Sequence, residues 1–333
     1  MFKQVFRFGI LVSAMLYFHP ILVGQDAVFS QFYMNPVALN AAFAGNTKAP
    51  RIALSYRNQW PGFSQAYVTY ALSYDQFFTS INSGLGLQIM ADDAGQGLYK
   101  TTKLAGVYSY NLRINSELST KFGIEAGFSQ SRFGWDKLVF TDQVTPDGQV
   151  GSSEEPVPAQ FHKNNLDVGI GMLLFSKKIY GGISLKHINR PDLTILPTTT
   201  GSLQAGQPTR ISVQIGGSFP VFAAHNSFYS TYLSPNLMVV KQGPFFQVLA
   251  GTFIGVGNFD LGLWYRMTGR NPDAAVLSAG MQKGIVRIGY SYDMTISALS
   301  LRSGGSHEVG VLINLDSLYP QESRYNDCFQ IFR

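Results

Sequence analysis

Apolar and polar residues alternate one by one along most of the chain from residue 51 onwards. Between Phe259 and Met267 every second residue is large and apolar, and the residues between them include Asp260 and Arg266. A period of two residues is that of a β-strand whose two faces meet different surroundings. The pattern predicts fourteen strands, at 51–59, 66–76, 82–93, 98–113, 117–135, 164–176, 178–188, 209–221, 226–238, 244–257, 259–267, 275–282, 284–294 and 307–316.

The gaps between these strands alternate between short and long. The even-numbered gaps are tight, as at Lys177, Asn258 and Lys283. Outer-membrane barrels have short turns at the periplasmic rim and longer loops at the outer rim. We therefore expect an all-β protein with a single antiparallel, 14-stranded transmembrane barrel over 51–316 and both termini on the periplasmic side; a soluble β-sandwich is the alternative. The roomy gaps are 136–163, 189–208, 268–274 and 295–306.

Composition favours the membrane barrel over the soluble sandwich. Charged residues make up 14% of the chain, whereas a soluble domain has about 25%. Aromatic residues also make up 14%, and there are 34 glycines, which suits a barrel with aromatic girdles and a crowded lumen. The net charge of +5 is too small to indicate nucleic-acid binding.

The N-terminus predicts a signal peptide over 1–24. Lys3 and Arg7 precede the apolar run 8–18, and the small residue Gly24 ends the segment. A transmembrane anchor is the alternative, but that run is only about half of the roughly 20 residues that a spanning helix needs.

Residues 25–50 and 317–333 flank the predicted barrel and show no clear alternation. The first is too aromatic, with Phe32 and Tyr33 among its residues, to lie free in water, so we predict a periplasmic or plug segment. A disordered leader is the alternative. We interpret 317–333 as a periplasmic C-terminal extension.

The strand pattern directs charged residues of both signs into the lumen. Placing Arg or Lys on the lipid face would cost about 2–4 kcal/mol at the midplane, so inward placement is expected whatever the function. Such charges either pair with one another and close the barrel, or line a polar passage or docking cavity. The candidate lumen and plug residues are Asn35, Pro36, Asn40, Arg57, Arg266, Arg287, Asp293 and Glu308.

Catalytic, cofactor and metal signatures are weak. The histidines are widely spaced, and no His-x-x-x-His pattern occurs. His187 with Asn189 offers two groups of a barrel-lipase triad, a pattern that is common by chance. Asp92 and Asp93 supply too few oxygens for a calcium site. We expect no enzyme, cofactor or metal, and Cys328 as an inert thiol or an intermolecular bridge, because one cysteine forms no internal disulfide.

Several blocks together carry a resemblance to a known family. They are Ser30–Pro36, Leu39–Gly45, Tyr56–Trp60, Gly289–Asp293 and the pair His307-Glu308. The mature chain resembles the PorP/SprF family of Bacteroidota outer-membrane proteins over essentially its whole length. One departure is an alanine at position 41, where the family usually has proline.

The resemblance implies an outer-membrane role in the type IX secretion system, on a fatty-acid-transporter-like barrel of fourteen strands. Family members are linked to secretion or surface attachment of large adhesins with a type B C-terminal domain, including gliding adhesins. Others connect the periplasmic ring and motor to a peptidoglycan-anchoring lipoprotein. Adhesin cargo, other secretion components and outer-membrane lipid are therefore the expected partners.

The long loops are the predicted receptor surface for such a partner, because they share one rim and are rich in polar and turn-forming residues. The runner-up function is an outer-membrane transporter or porin for hydrophobic or small molecules. The mostly polar lumen counts against hydrophobic transport. The candidate partner-binding residues are Trp60, Glu154, Glu155, Pro191, Asp192 and Thr198.

Overall fold

The computed structural model describes most of the chain that follows the predicted signal peptide. The predicted signal peptide, Thr198, His225 and Cys328 lie outside the described residues. The described residues are 25–63, 67–144, 151–155, 157, 160–193, 206–222, 231–269, 271–297, 300–318, 329 and 332.

Fifteen β-segments, two short α-helices and five 3₁₀ turns make up the regular structure of this described part. The helices are α1 (Pro36–Leu39) and α2 (Ser300–Ser303). The strands are β1 (Arg51–Gln59), β2 (Tyr67–Phe78), β3 (Ser83–Ala94), β4 (Tyr99–Arg113), β5 (Ser119–Phe133), β6 (His162–Phe175), β7 (Ile179–Lys186), β8 (Arg210–Gly217), β9 (Phe219–Phe222), β10 (Thr231–Gln242), β11 (Phe245–Val256), β12 (Phe259–Thr268), β13 (Asn271–Lys283), β14 (Val286–Thr295) and β15 (Ser306–Asn314).

The sheet closes on itself. Apart from β8 and β9, each strand pairs antiparallel with its sequence neighbour, and β15 pairs with β1 from Arg51↔Asn314 to Gln59↔Ser306. Both β8 and β9 pair with β10, in register one after the other, so they occupy one position in the wall. The prediction of a closed 14-stranded antiparallel barrel is confirmed.

The wall is interrupted where β8 passes into β9. Ser218 separates the two segments, and the residues opposite are Ser234 and Pro235 on β10. Proline has no backbone N–H to donate to the hydrogen bonds between strands, so it is best tolerated beside such an interruption. The Ser234 hydroxyl donates instead to the Gly217 carbonyl at 2.6 Å.

One predicted gap is wrong. The roomy gap 268–274 is a two-residue connection, because Thr268 pairs directly with Asn271. Gly269 has a φ of +62°, which glycine adopts readily and a tight hairpin requires. Pro272 lies within β13 opposite Met267, where the register shifts at a bulge. A bulge is one of the few sheet positions that accept proline.

The two faces of the wall separate by polarity. On β12, Leu261 and Leu263 are 65% and 58% exposed, whereas Asp260 and Arg266 are 7% and 5% exposed. An apolar outer face and a polar inner face are the pattern of an outer-membrane barrel. Among the described residues, no helix is long and apolar enough to cross a bilayer.

Candidate functional site

The N-terminal segment 25–50, here called the plug, runs through the lumen from one rim to the other. Asp26 lies at the rim that carries the longest loops, the long-loop rim, where its carboxylate meets His187 just after β7 and Gln242 at the end of β10. At the opposite, tight-turn rim, the Gly45 N–H donates to Asp75 Oδ2 at 2.8 Å near the end of β2. The plug then enters β1 at Arg51. The barrel is therefore filled along its length.

Wall glycines make room for the plug. At each of five of them, on β3, β5, β6, β14 and β15, an added Cβ would lie within 3.0 Å of a plug atom. Real Cβ atoms do not approach other atoms this closely, so larger residues at these positions would displace the plug. The contacts are Gly84 with Ala44, Gly123 with Ala42, Gly171 with Asn40, Gly289 with Gln31 and Gly310 with Met34.

A buried ionic network holds the outer half of the plug, and we call it the anchor cluster: Ser30, Arg57, Arg266, Asp293 and Glu308. Arg57 lies 2.7 Å from Asp293 and 3.0 Å from Glu308. Arg266 also reaches Asp293, at 2.6 Å, as does the Ser30 hydroxyl, at 2.8 Å. The four charged members come from β1, β12, β14 and β15 and are all predicted lumen residues that the structure brings together.

Glu308 binds the plug through its backbone. The Ser30 N–H donates to Oε2 and the Gln31 N–H donates to Oε1, each at 2.8 Å. The Gln31 side chain donates to the Glu308 carbonyl at 3.0 Å. One carboxylate thus satisfies two successive backbone donors that would otherwise be buried without partners.

Arg287 lies elsewhere in the lumen, so it is not part of the anchor cluster. It pairs with Asp260 at 2.8 Å. Its guanidinium lies over the rings of Tyr33 and Phe253, with centroid distances of 5.7 and 5.2 Å. A cation over aromatic faces is attracted by their quadrupoles, so this arginine helps to hold the aromatic part of the plug. Burial raises the pKa of Tyr33 above its ordinary value.

Three predicted plug residues shape its middle. Asn35 Oδ1 accepts from the Ser73 hydroxyl at 2.8 Å, and Pro36 occupies the first position of α1, where its missing N–H costs nothing. Asn40 caps the following 3₁₀ turn and donates to the carbonyls of Met172 and Ile183, both at 3.2 Å. It therefore ties the plug to β6 and β7.

Aromatic residues close the lumen at the tight-turn rim. Phe329 and Phe332, which belong to the predicted C-terminal extension, are buried in the barrel mouth. They pack against Phe43 of the plug and Tyr180 of β7, and Arg51 donates to the Phe332 carbonyl at 2.9 Å. Arg51 also pairs with Asp75, which is likewise buried. The prediction of a periplasmic extension over 317–333 did not assign Phe329 or Phe332 to the lumen.

A second ionic group, which is partly buried, lies at the long-loop rim, and we call it the latch cluster: Asp26, Lys103, Asp167 and His187. Asp26 lies 2.9 Å from Lys103 and 2.5 Å from His187, and His187 lies 2.8 Å from Asp167. Burial alone would raise the pKa of Asp26, but Lys103 and His187 hold it well below its usual range. Sequence reasoning missed this cluster, because His187 was considered only for catalysis.

The predicted receptor residues lie on three different loops of the long-loop rim. Trp60 follows β1, with a φ of +59°, and its N–H donates to Gly305 at 2.9 Å. Pro191 and Asp192 follow β7; the Pro191 carbonyl accepts from Gln207 at 2.8 Å, and Asp192 bridges to Gly206. The loop after β7 is therefore closed at its base.

Glu154 and Glu155 lie on the loop between β5 and β6, and both are exposed. The Glu154 N–H donates to Asp142 at 2.7 Å, as does the Ser153 hydroxyl at 2.8 Å. These two donors lower the pKa of Asp142 below its ordinary value. The base of this loop is closed by the Phe133 N–H, which donates to the Phe161 carbonyl at 2.9 Å, and further out the Gly151 N–H donates to the Gln143 carbonyl at 2.9 Å.

A recess of about 690 Å³ indents the wall beside the β8–β9 interruption. Small residues deepen it, including Gly216 and Gly217, and Ile179 and Leu237 contribute apolar side chains. Its lining includes Tyr180, whose hydroxyl donates to the Asn236 side chain at 2.7 Å.

Residues 22–313 of the chain match the sequence model of a protein family described as type IX secretion system membrane protein PorP/SprF. The chain belongs to the PorP/SprF family. This confirms the family predicted from sequence and places the protein in the outer membrane as a component of the type IX secretion system, whose other components are its partners.

Solved barrels are distantly similar to this PorP/SprF chain. KdgM porin is 8% identical, with a TM-score of 0.35, covering 79% of this chain and 98% of its own. The TodX deltaS2S3 mutant monoaromatic hydrocarbon channel is 10% identical, with a TM-score of 0.41 and coverages of 84% and 92%. BamA from Haemophilus ducreyi lacking POTRA domains 1–3 is 11% identical, with a TM-score of 0.37 and coverages of 80% and 71%. No curated protein matches the chain.

Proposed function

We propose that this PorP/SprF protein is a plugged, non-catalytic docking barrel that binds the type B C-terminal domain of a secreted adhesin at its long-loop face. In this role it supports secretion of the adhesin or its attachment to the cell surface, gliding adhesins included. Family membership supports the setting, because the family belongs to the type IX secretion system.

The observation that carries the proposal is the filled lumen. The plug occupies the barrel from Asp26 to Gly45, and Phe329 and Phe332 fill the tight-turn mouth. Inward charges of opposite sign pair with one another, as Lys186 does with Glu125 at 2.8 Å. A lumen packed in this way favours binding on the outside of the barrel over passage through it.

The long loops supply the exposed chemistry for such binding. The acidic residues Glu154 and Glu155 are exposed on one loop, and the two sides of the loop that follows β7 are joined by the Asp192–Gly206 bridge. Because the bases of both loops are hydrogen-bonded, the barrel presents them from fixed positions. Rigid scaffolds that carry exposed loops are a common way to build a recognition surface.

The tight-turn rim is the surface that we propose for periplasmic components, the ring or a peptidoglycan-anchoring lipoprotein. It carries the exposed pair Glu117–Lys177, 3.0 Å apart. A general secretion component would depend on this rim, whereas a dedicated cargo receptor would depend on the long loops. Variants at the two rims therefore separate these two roles.

A small-molecule transporter is the second candidate function, and the apolar wall recess beside β8 favours it. The packed lumen counts against it. Conductance of the purified barrel in a planar bilayer, and any lipid that co-purifies with it, would test this alternative.

The cargo hypothesis is tested by shortening the loop after β7. Residues 193–205 are replaced by Asn-Gly, which joins the bridged partners Asp192 and Gly206 through a tight hairpin turn. We expect heat-modifiable electrophoretic mobility to show a folded barrel, while the adhesin is released into the medium.

The matched control is Glu117→Gln at the opposite rim, with the companion variant Glu154→Lys in the second long loop. Glu117→Gln should retain surface adhesin, and Glu154→Lys should weaken capture of a purified type B C-terminal domain. Unchanged surface retention in the loop-shortened strain, with the barrel assembled, would refute the proposal.

A further inference from the structure

His187 lies where the plug begins and where the loop after β7 begins. Its side chain is 1% exposed, with Nε2 2.5 Å from Asp26 Oδ2 and Nδ1 2.8 Å from Asp167 Oδ1. Asp26 belongs to the plug and Asp167 to β6. The imidazole therefore bridges the plug to the barrel wall.

The two contacts require a particular protonation state. A neutral imidazole carries a proton on only one of its nitrogens, and an ionised carboxylate only accepts hydrogen bonds. Both ring nitrogens of His187 face carboxylate oxygens, so both bonds form only when the ring is protonated. We infer that protonated His187 holds the N-terminal end of the plug, residues 25–29, against the wall at the long-loop rim. We call this contact between His187 and the plug the latch.

The surrounding charges leave both carboxylates ionised. Lys103 lies 2.9 Å from Asp26 and 3.9 Å from Asp167, and Arg210 lies 3.8 Å from Asp26. Asp92 on β3 is a further carboxylate facing this group, and the neighbouring pair Lys186–Glu125 neutralises itself. The remaining polar neighbours of Asp26 are the uncharged amides of Gln207 and Gln242.

The backbone at His187 also connects this latch to the loop. His187 has a φ of +57°, a left-handed conformation that favours glycine. Its carbonyl accepts from the Arg190 N–H at 3.1 Å and from the Thr209 hydroxyl at 3.2 Å, at the two ends of the loop after β7. The ring that binds the plug is thus held by the loop that we propose as a receptor surface. The latch itself is independent of any cargo.

The sign of the pH dependence follows from the pKa of His187. Burial alone would lower this pKa, but Asp26 and the hydrogen bonds from both carboxylates raise it above its ordinary value. The stabilisation is therefore complete below the ordinary histidine pKa of about 6.5 and is lost as the pH rises through the raised pKa. Between the ordinary and the raised pKa of His187, opening of the latch releases one proton. The equilibrium constant for opening therefore rises by up to about tenfold per pH unit in this range.

Hydrogen exchange of the full-length barrel in detergent micelles tests this inference. Exchange of peptides covering 25–29 is measured from pH 6 to 9 and corrected for the intrinsic pH dependence of amide exchange. We expect opening of these residues to increase with pH, while exchange of Ser30 and Gln31, whose N–H groups donate to Glu308 of the anchor cluster, stays slow. In His187→Gln, opening should be high at pH 6 and independent of pH.

The matched control is His162→Gln, an exposed histidine on the same strand as Asp167, which should keep the wild-type profile. Asp26→Asn, a second variant, should also remove the pH dependence. Histidine NMR of the wild-type barrel, which needs no substitution of His187, should show one ring titrating above the ordinary range. A pH-independent wild-type profile, or a His187→Gln profile that still follows pH, would overturn the inference.

Discussion

The anchor cluster makes a sharp prediction for Glu308→Gln. Glu308 is 1% exposed and accepts from Ser30 N, Gln31 N and Arg57 Nη1 at 2.8, 2.8 and 3.0 Å. Glutamine has nearly the same shape but replaces one acceptor oxygen with an NH₂ donor. One of the two plug N–H groups then faces another donor, and the arginine loses a charged partner while keeping Asp293.

The free-energy cost of Glu308→Gln follows from the buried groups that lose their hydrogen-bond partners. A buried donor without an acceptor costs about 1–3 kcal/mol, and a hydrogen bond to a charged group contributes about 1.5–3 kcal/mol. We expect about 3 kcal/mol in total, which corresponds to about a 150-fold increase in plug opening because each 1.4 kcal/mol is about tenfold. The cost falls on plug docking, since Ser30 and Gln31 belong to the plug rather than to the wall.

The assay is hydrogen exchange of the peptides that contain Ser30 and Gln31, with chemical denaturation of the barrel measured in parallel. Exchange of the plug should accelerate by about two orders of magnitude, with a smaller change in the midpoint of barrel unfolding. His307→Gln is a matched control one residue away, because its side chain lies on the outer face and bonds Tyr290 at 2.8 Å. Equal plug exchange in the two variants would refute the assignment of Glu308 as the plug anchor.

Three further outcomes are expected. Gly171→Ala places a Cβ 1.9 Å from the plug and should destabilise it by about 1–3 kcal/mol, whereas Gly106→Ala, whose nearest atom is 3.9 Å away, should leave the denaturation midpoint unchanged. Arg51→Ala leaves a buried carboxylate without its partner and should cost about 3–5 kcal/mol in denaturant unfolding; Lys177→Ala, which breaks an exposed pair, should cost less than about 1 kcal/mol. Because the pKa of Asp26 is depressed, its contribution to plug docking should be complete above its ordinary pKa and lost as the pH falls through the depressed one, which acid-range exchange of residues 25–29 would measure.

Much of the wall was predictable because a strand in a membrane barrel has only two environments. A period of two assigns each residue to lipid or lumen, which is why Arg57, Arg266, Asp293 and Glu308 were all placed inside. The prediction was wrong at 268–274, because Asn271 and Pro272 already belong to β13, where the register shifts at a bulge. The local sequence does not show which residues pair across a hairpin, and that pairing sets the length of the connection.

The clusters themselves were beyond sequence reasoning. Periodicity gives the face on which a residue lies, but not its height in the barrel or which strands stand opposite across the lumen. Asp26 and His187 are 161 residues apart, yet they share a hydrogen bond. That meeting depends on the path of the plug and on the register of every strand between them.

By itself, the sequence determined the two-faced strands, their number and the inward placement of charge, because these are local patterns that the bilayer and the strand period impose. Its motif blocks, by resemblance, indicated the family. Only the tertiary structure decided that the plug runs the length of the lumen, that Glu308 holds its backbone and that His187 joins it to a loop. These contacts join segments that are far apart in the chain. Closure of the sheet into a barrel brings their side chains into one enclosed lumen, where each buried polar group needs a hydrogen-bond partner.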